Sequence, residues 1–153
     1  MRDQQDDERL LFSHKDFFCT VIYRVAHLCE LAQNALLKEY GMTHQQTQLL
    51  AYIYARRGRD VFQRDIEEEF CLSSATVTQQ LNVLERKGFI LRQPCAEDKR
   101  TKKLILTDLA KEYHAVFYRT IFNVDDVLCL GFTDVEKALF MSLLQKAYDN
   151  IRP

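Results

Sequence analysis

Glycine and proline are scarce in this chain, which has four glycines and two prolines in 153 residues. The sequence contains no glycine-rich phosphate loop and no GxSxG motif, so it gives no support to a nucleotide-binding or other enzyme. All four glycines follow helical patterns, at the place where a left-handed residue commonly ends a helix. These helix stops are Gly41, Gly58, Gly88 and Gly131. The pattern predicts a chain made mainly of helices.

Paired metal-ligand motifs are also absent. The five cysteines are odd in number and form no CxxC pair, which argues against a disulfide scaffold or zinc ribbon and favours reduced thiols in a cytosol. The four histidines are too scattered for a metal motif. The N-terminus is acidic, unlike a signal peptide, and no apolar run approaches the roughly 18 residues that a membrane span needs. We therefore expect a cytoplasmic protein without a metal or another cofactor.

Charge is distributed unevenly, although the formal net charge is only −1. Residues 86–103 hold seven basic and two acidic side chains, which gives this segment a charge of +5. A local basic segment matters more for nucleic-acid binding than the total charge does. Because 47% of the residues are apolar, the chain can form a core, and its length fits one domain.

Apolar periodicity and capping residues predict the order of the elements. The first helix is long for a small domain, so part of its apolar face is expected to meet another chain. The predicted elements are a helix from about Leu10 to Tyr40, a helix opened by the capping box Thr43-His44-Gln45-Gln46, a short strand at Val61-Phe62, a short helix from Gln63 to Phe70, a helix capped by Ser73 or Ser74, strands from Phe89 to Gln93 and from Lys102 to Leu106, a helix from Thr107 to about Leu130, and a last helix opened by the capping box Thr133-Asp134-Val135-Glu136.

Residues 63–107 have the order helix, tight turn, helix and two-stranded hairpin with a basic tip. Val77, Leu81 and Leu84 form the predicted buried seam of the second helix. The opposite face of that helix begins with small hydroxyl and amide side chains, which suit the edges of bases in a DNA major groove. The basic hairpin tip suits the DNA backbone beside that groove.

Ordered motifs in this segment resemble the MarR family of bacterial transcription regulators, which have a winged helix-turn-helix. Together the motifs meet the family pattern L-E-x-x-G-[LFW]-[IV], then D-x-R, then L-T. They are Asp65-Ile66, Leu72-Ser73 with Thr76-Val77-Thr78, Leu84-Glu85-Arg86-Lys87-Gly88-Phe89-Ile90, Glu97-Asp98-Lys99-Arg100 and Leu106-Thr107. Three residues depart from the family: Glu67 replaces a common small residue, and Cys71 and Ala110 replace common glycines.

The resemblance implies a mainly α fold of about six helices, with two or three short strands that include a hairpin wing. It implies a single MarR-type domain over residues 1–153, with the winged lobe at 43–106 and dimerisation helices at 10–41 and 107–151. It also implies a homodimer on double-stranded DNA with a palindromic operator. Family members are often repressors that a small phenolic or amphipathic ligand releases from DNA, and we expect the same activity here.

The resemblance and the side-chain chemistry together predict the residues that contact DNA. Ser73 and Ser74 lie at a helix N-terminus, where a phosphate is favoured. Thr76, Thr78 and Gln79 are suited to base edges. We also expect Arg64 to contact the backbone, Lys99, Arg100 and Lys102 to contact the minor groove or its phosphates, and Asp98 to stabilise the wing by pairing with Arg100.

Two alternatives remain open. Cys19 and Tyr23 have the spacing found in the organic-hydroperoxide-sensing branch of the family, which makes Cys19 a candidate redox sensor. That branch supplies further tyrosines, whereas this chain has Gln33 and His44 at the aligned places, and a buried cysteine is more often a small core residue. The other alternative is a winged-helix module that binds protein, against which the basic wing and polar helix argue.

Overall fold

The computed structural model describes residues 17–95 and 101–152. Over these ranges the chain forms a winged helix-turn-helix with further helices on both sides, so the predicted mainly α fold with a hairpin wing is confirmed. In chain order the elements are α1 (Phe18–Leu37), a 3-10 helix (Lys38–Tyr40), α2 (His44–Ala55), α3 (Gln63–Phe70), α4 (Ser74–Arg86), β1 (Ile90–Pro94), β2 (Lys102–Leu106), α5 (Asp108–Leu128) and α6 (Asp134–Ile151).

Hydroxyl side chains begin four of these helices. Thr43, Ser73, Thr107 and Thr133 each accept a hydrogen bond from the backbone N–H three residues further on. Each cap pairs one of the N–H groups that the first turn of a helix leaves without a partner. The capping boxes predicted at Thr43 and Thr133 are both formed. These local signals explain why the predicted starts of these four helices are correct.

The wing is a two-stranded antiparallel hairpin, whose register pairs Ile90 with Leu106 and Pro94 with Lys102. The segment at residues 61–62 joins the hairpin. The N–H of Leu104 donates to the carbonyl of Val61 at 2.8 Å, and Phe62 forms a single β-bridge with Lys103. The predicted strand at 61–62 is therefore one bridge long. This connection attaches the start of α3 to the wing.

The core of the lobe lies between α2, α3, α4 and the hairpin. Leu49, Ile66, Leu81, Leu84 and Ile90 are all fully buried. They come from four different elements, so their packing fixes α4 relative to α3 and β1. The predicted buried seam of α4 is confirmed, and the opposite face of α4 is left at the surface.

A cluster of four aromatic rings connects the lobe to the long helices. Tyr40, Phe89, Tyr113 and Phe117 have ring centroids 5.6 to 6.0 Å apart, and several pairs meet edge to face. Such contacts add to the free energy gained from burying the rings. Because Phe89 immediately precedes β1, this cluster sets the position of the wing relative to α5.

The first and last helices expose large apolar side chains. None of the 18 residues of α6 is buried, and Val135 and Ile151 are about four-fifths exposed. In α1, Phe18 is 89% exposed. No described helix combines the length and apolar character that crossing a membrane requires.

Candidate nucleic-acid interface

The first turn of α4 presents short polar side chains whose positions are fixed by hydrogen bonds. Ser73 accepts from the N–H of Thr76 at 3.2 Å, and the two hydroxyl oxygens of these residues lie 2.8 Å apart. Both hydroxyls therefore contribute to the N-cap, and they lie at the positive end of the helix dipole. A phosphate or another acceptor placed here would meet an ordered set of donors.

A second hydrogen-bond network joins α3 to α4. The side-chain amide nitrogen of Gln63 lies 2.8 Å from a carboxylate oxygen of Glu67, 2.9 Å from the hydroxyl of Thr78 and 3.2 Å from the hydroxyl of Ser74. Hydrogen bonds from Gln63 and Ser74 lower the pKa of Glu67, so this carboxyl group is ionised at neutral pH. The side chains of Ser74 and Thr78 on α4, which are predicted to contact DNA, are thus held in place by a residue of α3.

Gln79 differs from its neighbours on α4. Its side chain is exposed and forms no hydrogen bond with any described residue. Gln80, the next residue, accepts from the amide of Gln46 at 3.2 Å and so ties α4 to α2. Gln79 can therefore reorient to present both its donor and its acceptor to an adenine, as predicted for base readout.

A groove of about 290 Å³ lies between the start of α3 and the wing. Arg64, Arg92 and Lys102 all contribute to its lining. Arg64 pairs with Glu68 at 2.7 Å, but both side chains are mostly exposed, so this pair holds the guanidinium only weakly. The groove brings Arg64 and Lys102, which are far apart in sequence, to one surface that an anion could occupy.

Several basic residues of segment 86–103 are used inside the protein. Lys87 donates to the carbonyl of Gly41 and to Gln46, and Lys103 lies 3.5 Å from a carboxylate oxygen of Asp60. Arg92 donates to Asn82 at 2.7 Å and pairs with Glu85 at 3.4 Å. Among the described basic residues of this segment, Arg86 and Lys102 have no such partner. Fewer basic side chains of this segment are therefore available to contact DNA than its charge of +5 implies.

Sequence reasoning missed two residues at this surface, Gln63 and Arg92. Gln63 precedes the acidic run of α3 and lies four residues before Glu67, a spacing that allows a side-chain hydrogen bond on a helix. Arg92 carries a terminal nitrogen that is buried and has no hydrogen-bond partner among the described residues. Only the fold places that guanidinium in the lining of the groove, so its sequence position alone could not have identified it.

The comparisons with known proteins agree with this geometry. A family model described as MarR family matches residues 40–101, which include the helix-turn-helix and β1. The chain is 28% identical over 127 residues to YybA, an uncharacterized HTH-type transcriptional regulator of Bacillus subtilis (strain 168), and the match covers 83% of each chain. The chain is thus similar to the MarR family, and the family model covers its residues 40–101. Members of this family are DNA-binding transcription regulators and not enzymes. This confirms the predicted class of function and the prediction that the protein is not an enzyme.

Another MarR-type relative is the HTH-type transcriptional regulator TtmR of Methylorubrum extorquens (strain PA1), which is 30% identical over 104 residues. That match covers 68% of this chain and 51% of TtmR. Among solved structures, MepR of S. aureus in complex with DNA superimposes with a TM-score of 0.83 at 23% identity, over 90% of this chain and all of MepR. A MarR family regulator of Listeria monocytogenes complexed with 26mer DNA gives 0.81 at 20% identity, over 90% of each chain.

Three predicted site residues, Asp98, Lys99 and Arg100, lie outside the described residues. Their roles in the wing stay predictions from the sequence. The structure describes Arg64, Ser73, Ser74, Thr76, Thr78, Gln79 and Lys102, and it places them on α3, on the first turns of α4 and on β2.

The candidate redox residue Cys19 lies on the exposed side of α1, and Tyr23 is 71% exposed. All five cysteines are free thiols. Gln33 is buried with its side-chain oxygen unpaired among the described residues, and burial lowers the pKa of His44. Redox sensing stays a prediction: if an organic hydroperoxide still releases DNA from Cys19→Ser, Cys19 is not the sensor. No group of three metal-ligating side chains forms within 17–95 and 101–152.

Proposed function

We propose that this protein is a homodimeric repressor of the MarR family that binds a palindromic DNA operator and is released from it by a small amphipathic ligand. The observation that carries DNA recognition is the ordered polar first turn of α4 beside the basic groove between α3 and the wing. In MarR family relatives such as MepR, which was crystallised with DNA, the same fold is bound to DNA. The cytoplasmic location expected from the sequence remains a prediction.

The proposed roles divide between base reading and backbone contact. Thr76, Thr78 and Gln79 read bases in the major groove. Ser73 and Ser74 approach a phosphate at the N-terminus of α4. Backbone and wing contacts come from Arg64, from Lys102 and, by the sequence resemblance, from Lys99 and Arg100, with Asp98 stiffening the wing.

The homodimer is supported by the apolar side chains that the fold leaves uncovered on both terminal helices. Phe18, Val135 and Leu139 are each more than half exposed. Exposed apolar patches of this kind mark protein interaction surfaces, and a two-fold axis lets the same patches cover each other. In this arrangement residues 43–106 form the DNA-binding lobe, and residues 10–41 and 107–151 form the dimer region.

An effector site is supported by a cavity of about 400 Å³ between the end of α2, β2 and the start of α5. Its walls include apolar side chains such as Ile53 and Leu104, and its lining contains four basic residues. These are Arg57, Arg59, Lys103 and Lys111. The lining also contains Asp60, which pairs with Lys103, so its charge remains positive and its apolar walls fit an amphipathic anion. The cavity touches β2, so a ligand there would act on the wing.

Arg59 is the most informative of these cations, since its guanidinium has no hydrogen bond or ion pair with another described residue. Benzoate serves as a small aromatic anion to probe the site. We expect benzoate to release the operator from the wild type, and Arg59→Ala to need a markedly higher concentration for half release. Equal sensitivity of the two proteins would place the effector elsewhere.

Selection of bound fragments from random double-stranded DNA tests the proposed function directly. We expect an inverted repeat whose half-sites lie about one helical turn apart, because a two-fold dimer presents two copies of α4 to successive major grooves. A selected sequence without dyad symmetry would contradict the homodimer. No enrichment of any sequence would contradict operator recognition and favour the protein-binding alternative.

A further inference from the structure

Glu67 is an acidic side chain at the junction of α3 and α4, next to the surface proposed to meet DNA. It is half-buried, and one carboxylate oxygen lies 2.8 Å from the amide nitrogen of Gln63. A carboxylate accepts hydrogen bonds but cannot donate them once ionised. It also repels the phosphates of the DNA backbone, so Glu67 cannot serve as a phosphate contact.

The hydrogen bonds around Glu67 leave a defined pattern of donors and acceptors. The Gln63 amide has two hydrogens, and its two nearest acceptors are Glu67 at 2.8 Å and the Thr78 hydroxyl at 2.9 Å. The hydroxyl of Ser74 lies 3.2 Å from the same amide nitrogen. Thr78 accepts from Gln63, so its own hydroxyl hydrogen is free to donate outward. The network therefore presents a donor at Thr78 close to an acceptor at Glu67.

In the major groove the exocyclic amino groups are N4 of cytosine and N6 of adenine, and these are donors. Guanine and thymine carry the acceptors O6 and O4 at the corresponding positions. Two acceptors would then face each other, and no hydrogen bond could form with a carboxylate. We propose that Glu67 is a specificity-determining residue that accepts a hydrogen bond from an exocyclic amino group of the operator, and that Gln63 is the residue that positions it. This inference rests on the proposed DNA-binding function.

A glutamate is already ionised at neutral pH, and the contacts with Gln63 and Ser74 lower the pKa of Glu67 further. A neutral carboxyl group would carry a hydrogen and could pair with an acceptor base as well. Holding the group as a carboxylate therefore restricts its partners to amino groups. Gln63 reaches Glu67 and Thr78 at once, so a change at Gln63 disturbs both sides of the donor–acceptor pair.

The test measures affinity for the selected operator and for a panel in which each base pair is replaced in turn. The wild type is compared with Glu67→Gln, which keeps the size of the side chain and adds a donor. We expect the preference at one position in each half-site to fall from about tenfold or more to less than about threefold, because an amide can pair with either kind of base. Gln63→Met should weaken the preference at that same position.

Glu68→Gln is the matched control, since it removes the same charge from the neighbouring residue of α3. Glu68 pairs with Arg64 and has no contact with the network, so this variant should change affinity alike for all sequences. The amino group is identified with operators that carry 2-aminopurine for adenine or 2-pyrimidinone for cytosine at the affected position. One of these bases should weaken wild-type binding and leave binding by Glu67→Ala nearly unaffected, because alanine has no side-chain acceptor for the amino group.

The possible outcomes separate this inference from the proposed function. If the wild type has no sequence preference, both are overturned. If the wild type is selective and Glu67→Gln keeps the same profile, the role of Glu67 is overturned alone. A uniform gain in affinity across the whole panel would overturn it too, because it would mean that the carboxylate only repels phosphate. Thermal unfolding of the variants near the wild-type temperature verifies that each one is folded.

Discussion

At the scale of single residues, the two departures from the family pattern inside the helix-turn-helix have physical explanations. Glu67 accepts a hydrogen bond from Gln63, whose amide also reaches Ser74 and Thr78, so Glu67 takes part in the contact between α3 and α4. Cys71 ends α3 in the left-handed region with φ of +50°, and its N–H donates to the carbonyl of Glu67. A cysteine performs the turn that a glycine performs in relatives, at a conformational cost.

Replacing Cys71 by glycine should stabilise the protein. A residue with a Cβ is strained in the left-handed region, and we expect Cys71→Gly to raise the free energy of unfolding by about 1 kcal/mol. The gain is partly offset because glycine loses more backbone entropy on folding. Urea-induced unfolding of the two proteins measures the difference. Cys71→Ser is the control that keeps the Cβ, and a gain of equal size in that variant would contradict the explanation from backbone strain.

At the scale of elements, the wing and α3 act together. The bridge between Phe62 and Lys103 connects the start of α3 to β2, and the groove beside it contains Arg64 and Lys102. Lys102 and Lys103 are neighbours in sequence, but alternation along a strand sends them to opposite faces of the hairpin. Lys103 pairs with Asp60, whereas the side chain of Lys102 is exposed and has no hydrogen bond or ion pair with a described residue.

Lys102→Ala should therefore weaken operator binding, while Lys103→Ala should change it little. We expect the slope of log K against log salt to decrease in magnitude by about 1 for Lys102→Ala, because one phosphate contact is lost. Fluorescence anisotropy at several salt concentrations gives both affinity and slope. If the two variants behave alike, the basic segment acts through its overall charge and not through the groove.

At the scale of the whole molecule, the described chain is a small packed lobe with three long helices, of which α1 and α6 expose apolar faces. The aromatic cluster around Tyr113 and Phe117 joins the lobe to α5, so it fixes the position of the wing relative to that helix. On α6 most of the apolar side chains are exposed within the described chain. The proposed dimer covers these side chains, and it also sets the distance between the two copies of α4.

Leu139→Glu should disrupt this dimer. Leu139 is 57% exposed in the single chain, and a carboxylate buried at an interface without a partner costs several kcal/mol. We expect the dimer dissociation constant to rise by about a hundredfold or more. Sedimentation velocity across a range of concentrations measures it. Lys137→Gln makes the same change in net charge on the same helix and should leave the dimer intact. An unaltered dimer in Leu139→Glu would remove α6 from the interface.

The sequence by itself determined the local elements of this protein. Capping hydroxyls at Thr43, Ser73, Thr107 and Thr133 and glycines at helix ends act over three or four residues, so their signals can be read without knowledge of the fold. The seam of α4 was also predicted correctly, because burial follows the helical period. The ordered motifs of residues 63–107 were enough to indicate the family.

Only the tertiary structure decided which polar and charged side chains remain available for a partner. Lys87, Arg92 and Lys103 contribute to the positive charge of the sequence. In the fold, however, their side chains form hydrogen bonds or ion pairs with residues that lie 7 to 46 positions away in the chain. The fold likewise brings Gln63 of α3 within hydrogen-bonding distance of Thr78 of α4. Hydrogen bonds and ion pairs depend on distances of a few ångströms in space, and a chain brings such groups together only when its core has packed.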